Sequence, residues 1–270
     1  MPLTERNIDF RGIRVHGWEG GQGFPILMLH GSGPGVSAQA NFRLILEPLA
    51  ANYHILALDL IGFGGSGRKS APPFFDLDLW LQQAQAAIDV IPEKAVGVIG
   101  HSISATLALR LAAANPRITK VLTTGAMGAR FAANADTVLT WTFPETREEL
   151  RRVGKALVYD QRLIDDNFLD GRMKILGDPE YAAYFRSMFA GDKQAIVDAA
   201  NLGADTLAKI ACDVVMVHGK DDRPFPYAET TMALARQIPQ ADAVVLARCG
   251  HSPALEHPDK LVQIARMLFG

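Results

Sequence analysis

Short apolar runs alternate with longer amphipathic ones along most of this chain. Pro25 to Leu29 and His54 to Leu58 are apolar runs of strand length, and Ala95 to Ile99 and Lys120 to Thr124 continue the series. Between them, Asn41 to Ala50 carries Phe42, Leu44, Ile45 and Leu49 at helical spacing, and Leu77 to Val90 and Ala105 to Ala114 also read as helices. Alternation of this kind predicts a mostly parallel twisted sheet with helices on both faces. The N-terminal Ile8 to Trp18 is less apolar and interrupted by Gly12 and Gly17, and predicts one or two antiparallel edge strands.

The alternation stops after Gly125. From 129 to 208 the chain is rich in Leu, Met, Ala, Arg, Asp and Glu at helical spacing, with helices expected at Arg147 to Leu157, Asp165 to Leu176 and Asp178 to Phe189. This predicts a helical insertion at 129–208 within a core made of 1–128 and 209–270. The α/β alternation then resumes with a strand at Asp213 to Val217, a helix at Tyr227 to Gln237, a strand at Ala243 to Leu246 and a final helix at Pro258 to Phe269.

Composition narrows the class. Apolar residues make up 49% of 270 residues, enough for a large packed core. A net charge of −2 without charge blocks argues against nucleic acid or anionic membrane as a partner. No apolar run reaches the roughly 18 residues of a membrane span, and the stretch Met1 to Arg6 lacks the apolar core of a signal peptide. Cys212 and Cys249 form neither a disulfide framework nor a metal-binding pair. A soluble cytoplasmic protein without a metal is expected.

The chemistry starts at Gly100-His101-Ser102-Ile103-Ser104, between a strand and a helix. A serine on such a tight turn projects its Oγ out of the sheet, and small neighbours let strand and helix approach. Ser104 stands where a second glycine is usual. The competing reading of Ser102 is a helix N-cap. A nucleophilic serine needs a base, a group to orient the base and donors for an oxyanion. His251 follows the last strand and is the base candidate. Asp221 and Asp222 follow the preceding strand, and their spacing alone does not choose between them. The loop His30-Gly31-Ser32-Gly33-Pro34-Gly35 follows an apolar strand, so the N–H groups of Ser32 and Ile103 are the oxyanion candidates. Gly62-Phe63-Gly64-Gly65-Ser66-Gly67 has dinucleotide-loop spacing, but Arg68 to Pro73 follows where that site needs a helix, so a nucleotide cofactor is not expected.

Taken together, these features resemble the α/β-hydrolase fold over essentially the whole chain. That resemblance makes the glycine run after Asp59 a structural turn. It also selects Asp222, three residues after Gly219, as the acid of a Ser102–Asp222–His251 triad. A closer resemblance is to the meta-cleavage product hydrolases, which cut carbon–carbon bonds in ring-fission products of aromatic degradation. It rests on His30 to Ala38 with Asn41, and on Tyr159 to Ile164 followed by Asp165 to Arg172. It implies no cofactor, a small acidic substrate, a lid, a homodimer, and a substrate site including Gly31, Gly33, Asn41 and Arg172. The guanidinium of Arg172 would bind the substrate's acidic end. Two positions depart from that family's pattern: His101 replaces an asparagine before the nucleophile, and Ser252 replaces a tryptophan after the base. Both are expected to line the substrate site. An esterase or lactonase with the same triad is one alternative. A slow-turnover ligand receptor, suggested by the Gly-His-Ser-Ile-Ser elbow, is another.

Overall fold

The computed structural model describes residues 2–270. Eight strands form one sheet: β1 (Thr4–Phe10), β2 (Ile13–Gly20), β3 (Pro25–Leu29), β4 (His54–Leu58), β5 (Val96–His101), β6 (Ile118–Thr124), β7 (Asp213–Gly219) and β8 (Ala241–Leu246). Their spatial order is β1-β2-β4-β3-β5-β6-β7-β8. β1 pairs antiparallel with β2, and β2 with β4; all other pairs are parallel. The expected mostly parallel sheet is thus present, and the N-terminal edge is a two-stranded hairpin.

The central strands are buried on both faces, as parallel strands covered by helices must be. Leu27 and Leu29 of β3 and Leu56 and Leu58 of β4 face one apolar layer. Ile26, Met28, Ile55 and Ala57 face the other, so the two-residue period of a strand separates the layers. The helices Leu77–Asp89 and Ile103–Ala114 cover the first layer through residues such as Trp80, Ile88 and Leu107. Pro258–Phe269 covers the second through Leu261, Ala265 and Phe269.

One predicted helix is split and another is shorter than its periodicity suggested. Asn41 to Ala50 is broken into Ala38–Phe42 and Leu46–Ala50. Pro48 is the reason: inside one continuous helix it could not donate to the Leu44 carbonyl and its ring would collide with it. A fresh start at Leu46 puts Pro48 in a first turn, where a missing N–H costs nothing. Of Tyr227 to Gln237, only Thr231–Ala235 is helical. Thr230 Oγ1 donates back to the Pro226 carbonyl at 2.9 Å, and Thr231 Oγ1 lies 2.7 Å from His218 Nδ1. Thr230, with φ −106° and ψ −91°, is the N-cap where the helix starts, and the Thr231 bond ties its first residue to His218.

Between β6 and β7 the chain forms helices only, from Ala135–Thr140 to Ala204–Leu207. Asp165 and Asp178 turn out to be N-caps, accepting from Phe168 N and Glu180 N. Trp141, Phe185 and Phe189 of this segment join the same apolar cluster as Leu27 and Leu29. The segment therefore packs on the sheet's own layer, over the ends of the strands.

Among the described residues, no helix is long and apolar enough to cross a membrane. The glycine run after β4 closes on the protein's own carboxylate: Gly65 N–H donates to Asp59 Oδ2 at 2.8 Å and Ala38 N–H to Asp59 Oδ1 at 2.7 Å. Buried Asp59 thus fills the role an anionic ligand would take in a phosphate loop.

Candidate active site

In the sheet, β3 lies beside β5 with Leu29 opposite Gly100, and β5 lies beside β6 with His101 opposite Thr124. Three strands therefore end together, and their following loops meet above the sheet. Ser102 sits at that junction with φ 59° and ψ −122°, a backbone conformation that non-glycine residues adopt only under strain. Its N–H donates to the Thr124 carbonyl at 2.9 Å, and its own carbonyl accepts from Met127 N at 3.2 Å. The turn is tight enough that a Cβ on Gly100 would stand 2.4 Å from the Ser104 carbonyl oxygen. Only glycine fits at position 100.

The Ser102 hydroxyl donates to His251 Nε2 at 2.9 Å, and His251 Nδ1–H donates to Asp222 Oδ2 at 2.7 Å. The adjacent Asp221 is exposed, so of the two carboxylates only Asp222 reaches the imidazole. Phe225 packs its ring on His251 with centroids 4.5 Å apart. The arrangement makes Ser102 a nucleophile candidate whose proton has a defined acceptor, with the acceptor's tautomer set by Asp222.

Asp222 has partners that sequence reasoning missed. Fully buried His218 donates from Nε2 to Asp222 Oδ2 at 2.9 Å and to the Phe225 carbonyl at 2.9 Å, while its Nδ1 accepts from Thr231 Oγ1. Phe225 N–H donates to Asp222 Oδ1 at 3.1 Å. Burial alone would raise the Asp222 carboxyl, but electrostatic attraction to the His251 ring and the hydrogen bonds from His218 and His251 outweigh it. They hold the group well below the usual carboxylate range. The usable signal was His218 at the end of β7, four residues before Asp222.

The loop after β3 is held from several sides. His30 Nε2 accepts from Leu60 N at 3.0 Å, and Ser104 Oγ donates to the His30 carbonyl at 2.5 Å. Asn41 Oδ1 accepts the Gly31 N–H at 3.0 Å, which orients the Asn41 amide with its NH2 as the remaining donor. Trp141 Nε1 donates to Ser32 Oγ at 3.0 Å. The N–H groups of buried Ser32 and Ile103 donate to no protein acceptor among the described residues. Two uncommitted donors beside a nucleophile are what an oxyanion requires.

These groups open onto one cavity. Gly31, Ser32, Gly33, Asn41, His101, Ser102, Arg172, His251 and Ser252 all line it, so the predicted substrate residues come together there. Asp222 stands behind His251, and Ile103 is buried in the first turn of its helix. The remaining wall is largely apolar and comes from the helical segment, including Leu150, Val153, Leu157, Ile164 and Phe168. Arg172 reaches in from the helix Asp166–Leu176 and donates to the Pro34 carbonyl at 2.7 Å. It approaches so closely that a Cβ on Gly35 (φ +69°) would stand 3.2 Å from Arg172 Cδ. Among the described residues no carboxylate pairs with it. Desolvation, aided by repulsion from Arg43, lowers its pKa to about 10, so it remains a cation at neutral pH.

His101 faces the cavity from beside the base, with its ring centroid 4.8 Å from that of His251. Its Nδ1–H donates to Thr124, 3.1 Å from the carbonyl and 3.0 Å from Oγ1. Burial, reinforced by His251, pushes its pKa well below the ordinary value. His101 is therefore neutral, and its Nε2 is an acceptor.

Residues 26–264 match the alpha/beta hydrolase family. The chain belongs to that family. This hydrolase is 30% identical over 264 residues to a 2-hydroxymuconate semialdehyde hydrolase of Pseudomonas sp. strain CF600, covering 97% of this chain and 93% of that one. It is 29% identical to a 2-hydroxy-6-oxo-2,4-heptadienoate hydrolase of Pseudomonas putida, covering 91% and 88%. Among solved structures, a meta-cleavage product hydrolase from Pseudomonas fluorescens IP01 superposes with a TM-score of 0.93 at 26% identity, covering 98% and 97%. The resemblance of this hydrolase to meta-cleavage product hydrolases therefore extends along its whole length.

Proposed function

We propose that this hydrolase cleaves a carbon–carbon bond in a 2-hydroxy-6-oxo-2,4-dienoate, the class of compound named for its relatives. One observation in the site carries the reading: an arginine without an acidic partner, Arg172, faces the same largely apolar cavity as Ser102. Such a cavity suits a molecule with a carboxylate at one end and a hydrocarbon body. The helical segment between β6 and β7 serves as the lid over it.

The chemistry follows from the positions of the groups. Bound through its carboxylate to Arg172, the dienol ketonises: the 2-hydroxyl proton leaves and a proton is added at C5, with His251 as the shuttle. Ser102 Oγ, or a water activated by His251, attacks the C6 carbonyl, and its proton passes to His251 Nε2. The resulting oxyanion is held by the N–H groups of Ser32 and Ile103. Collapse breaks the C5–C6 bond, and its electron pair is delocalised onto the C2 oxygen as a dienolate, beside Arg172 and the Asn41 amide. Where Ser102 attacks, water then releases the acyl group from it. The products are a 2-hydroxypentadienoate and a carboxylic acid, one water being consumed. No cofactor takes part in this sequence.

Stopped-flow absorbance with phenyl- and alkyl-substituted 2-hydroxy-6-oxohexa-2,4-dienoates, run beside p-nitrophenyl acetate, tests the proposal. Rapid loss of the yellow dienolate that disappears in Ser102→Ala is the expected result. Fast ester cleavage without dienolate loss would make the protein an esterase.

A further inference from the structure

Glu256 lies at the end of the short helix Pro253–Glu256, five residues beyond the base, and is half-buried. Its carboxylate accepts three backbone N–H groups from two separate parts of the chain. Oε1 accepts from Gly250 N at 2.7 Å. Oε2 accepts from Tyr159 N at 2.7 Å and Asp160 N at 3.1 Å. A fourth bond closes the circuit: His251 N–H donates to the Leu157 carbonyl at 2.8 Å. The two segments touch so closely that a Cβ on Gly250 would lie 2.8 Å from both Leu157 O and Val158 Cα. Leu157 and Val158 in turn line the substrate cavity.

We propose that Glu256 is a positioning residue that locks the His251 loop to the end of the helix Arg147–Leu157, so that base and cavity wall are held as one unit. The proposal rests on the triad reading given above. A carboxylate suits this task because it is acceptor-only on both oxygens. No neutral side chain of the same shape offers two acceptors: in Glu256→Gln, one arm must present an NH2 to a backbone N–H. Whichever way the amide turns, the bridge between the two segments is broken, so both gain freedom. Loss of the Gly250 arm lets His251 drift from Ser102 Oγ. Loss of the Tyr159 and Asp160 arm loosens the wall formed by Leu157 and Val158.

The test measures the reactivity of Ser102 without relying on the identity of the natural substrate. A small alkyl fluorophosphonate forms a bond between Ser102 Oγ and phosphorus and expels fluoride, with the serine proton passing to His251. In Glu256→Gln and Glu256→Ala the maximal labelling rate is expected to fall about 10- to 100-fold, the cost of a misplacement near 1 Å. The concentration for half-maximal rate is expected to rise. Hydrogen exchange should accelerate together in peptides covering 157–161 and 249–252, at a temperature where thermal melting shows each variant folded. Unchanged labelling, or faster exchange in neither or only one of those peptides, would overturn the proposal. The glutamine variant keeps the size of the side chain and so guards against simple unfolding. Labelling that persists in Ser102→Ala would remove the triad reading, and this proposal with it; loss of dienoate turnover alone would leave both standing.

Discussion

Ser104 Oγ donates to the His30 carbonyl across 2.5 Å and thereby ties the serine elbow to the loop that carries Ser32. The hydroxyl accounts for a serine at a position where a glycine is usual. Both partners are fully buried. Ser104→Ala would leave the His30 carbonyl without that donor, so a loss of about 1–3 kcal/mol is expected. Urea unfolding of variant and parent measures it. A difference within error would mean that the bond does not contribute to stability.

The backbone of Ser102 predicts an unusual order of stability. Ser102→Ala and Ser102→Gly both remove the hydroxyl, but alanine keeps the Cβ at φ 59° while glycine has none. Relief of roughly 1–3 kcal/mol of strain outweighs the roughly 0.5–1 kcal/mol that glycine loses in chain entropy. The glycine variant should therefore melt at the higher temperature. Calorimetry giving the reverse order would show that the elbow carries no strain.

His101 makes stability depend on pH in a definite direction. Its folded pKa is depressed below the ordinary 6.5, first by burial and then by His251. Below that pH the unfolded chain binds a proton that the native ring does not, so stability drains away as pH falls. His101→Asn removes this contribution. Between pH 7 and pH 5 the variant should lose less unfolding free energy than the parent. Equal losses in a pH series of urea titrations would argue that His101 is not held neutral.

Arg172 should discriminate by charge. On the proposed function, Arg172→Gln would remove a charge-assisted hydrogen bond to the acidic end of the substrate, worth roughly 1.5–3 kcal/mol, so kcat/KM on a dienoate should fall about 10- to 100-fold. Cleavage of neutral p-nitrophenyl acetate, which has no carboxylate, should change little. Arg172→Lys should restore activity only in part, because an ammonium cannot bind a carboxylate bidentately. Equal losses on both substrates would assign Arg172 to holding the loop through Pro34.

Much of the fold was legible in the amino-acid order, because strand and helix periodicity is a local property. Pro25–Leu29, His54–Leu58 and Arg147–Leu157 occupy the residues their patterns predicted. The serine elbow was legible for the same reason: small residues two positions before and after a serine, between strand and helix, are a local steric demand. At Pro48 a local breaker divides the helix expected at 41–50 into two, Ala38–Phe42 and Leu46–Ala50. Other features depended on residues far apart in the chain. The Ser102–His251 bond spans 149 positions, and the bond from Trp141 to Ser32 spans 109. The residues alone left Asp221 and Asp222 open, and only packing against His218 and Phe225 buries one of them beside the imidazole. Glu256 had no signature in the sequence, because its partners are backbone N–H groups, which every residue but proline carries. Periodicity and turn chemistry determined which elements form; the tertiary structure decided which polar groups meet, because a hydrogen bond forms only where packing brings donor and acceptor within about 3 Å.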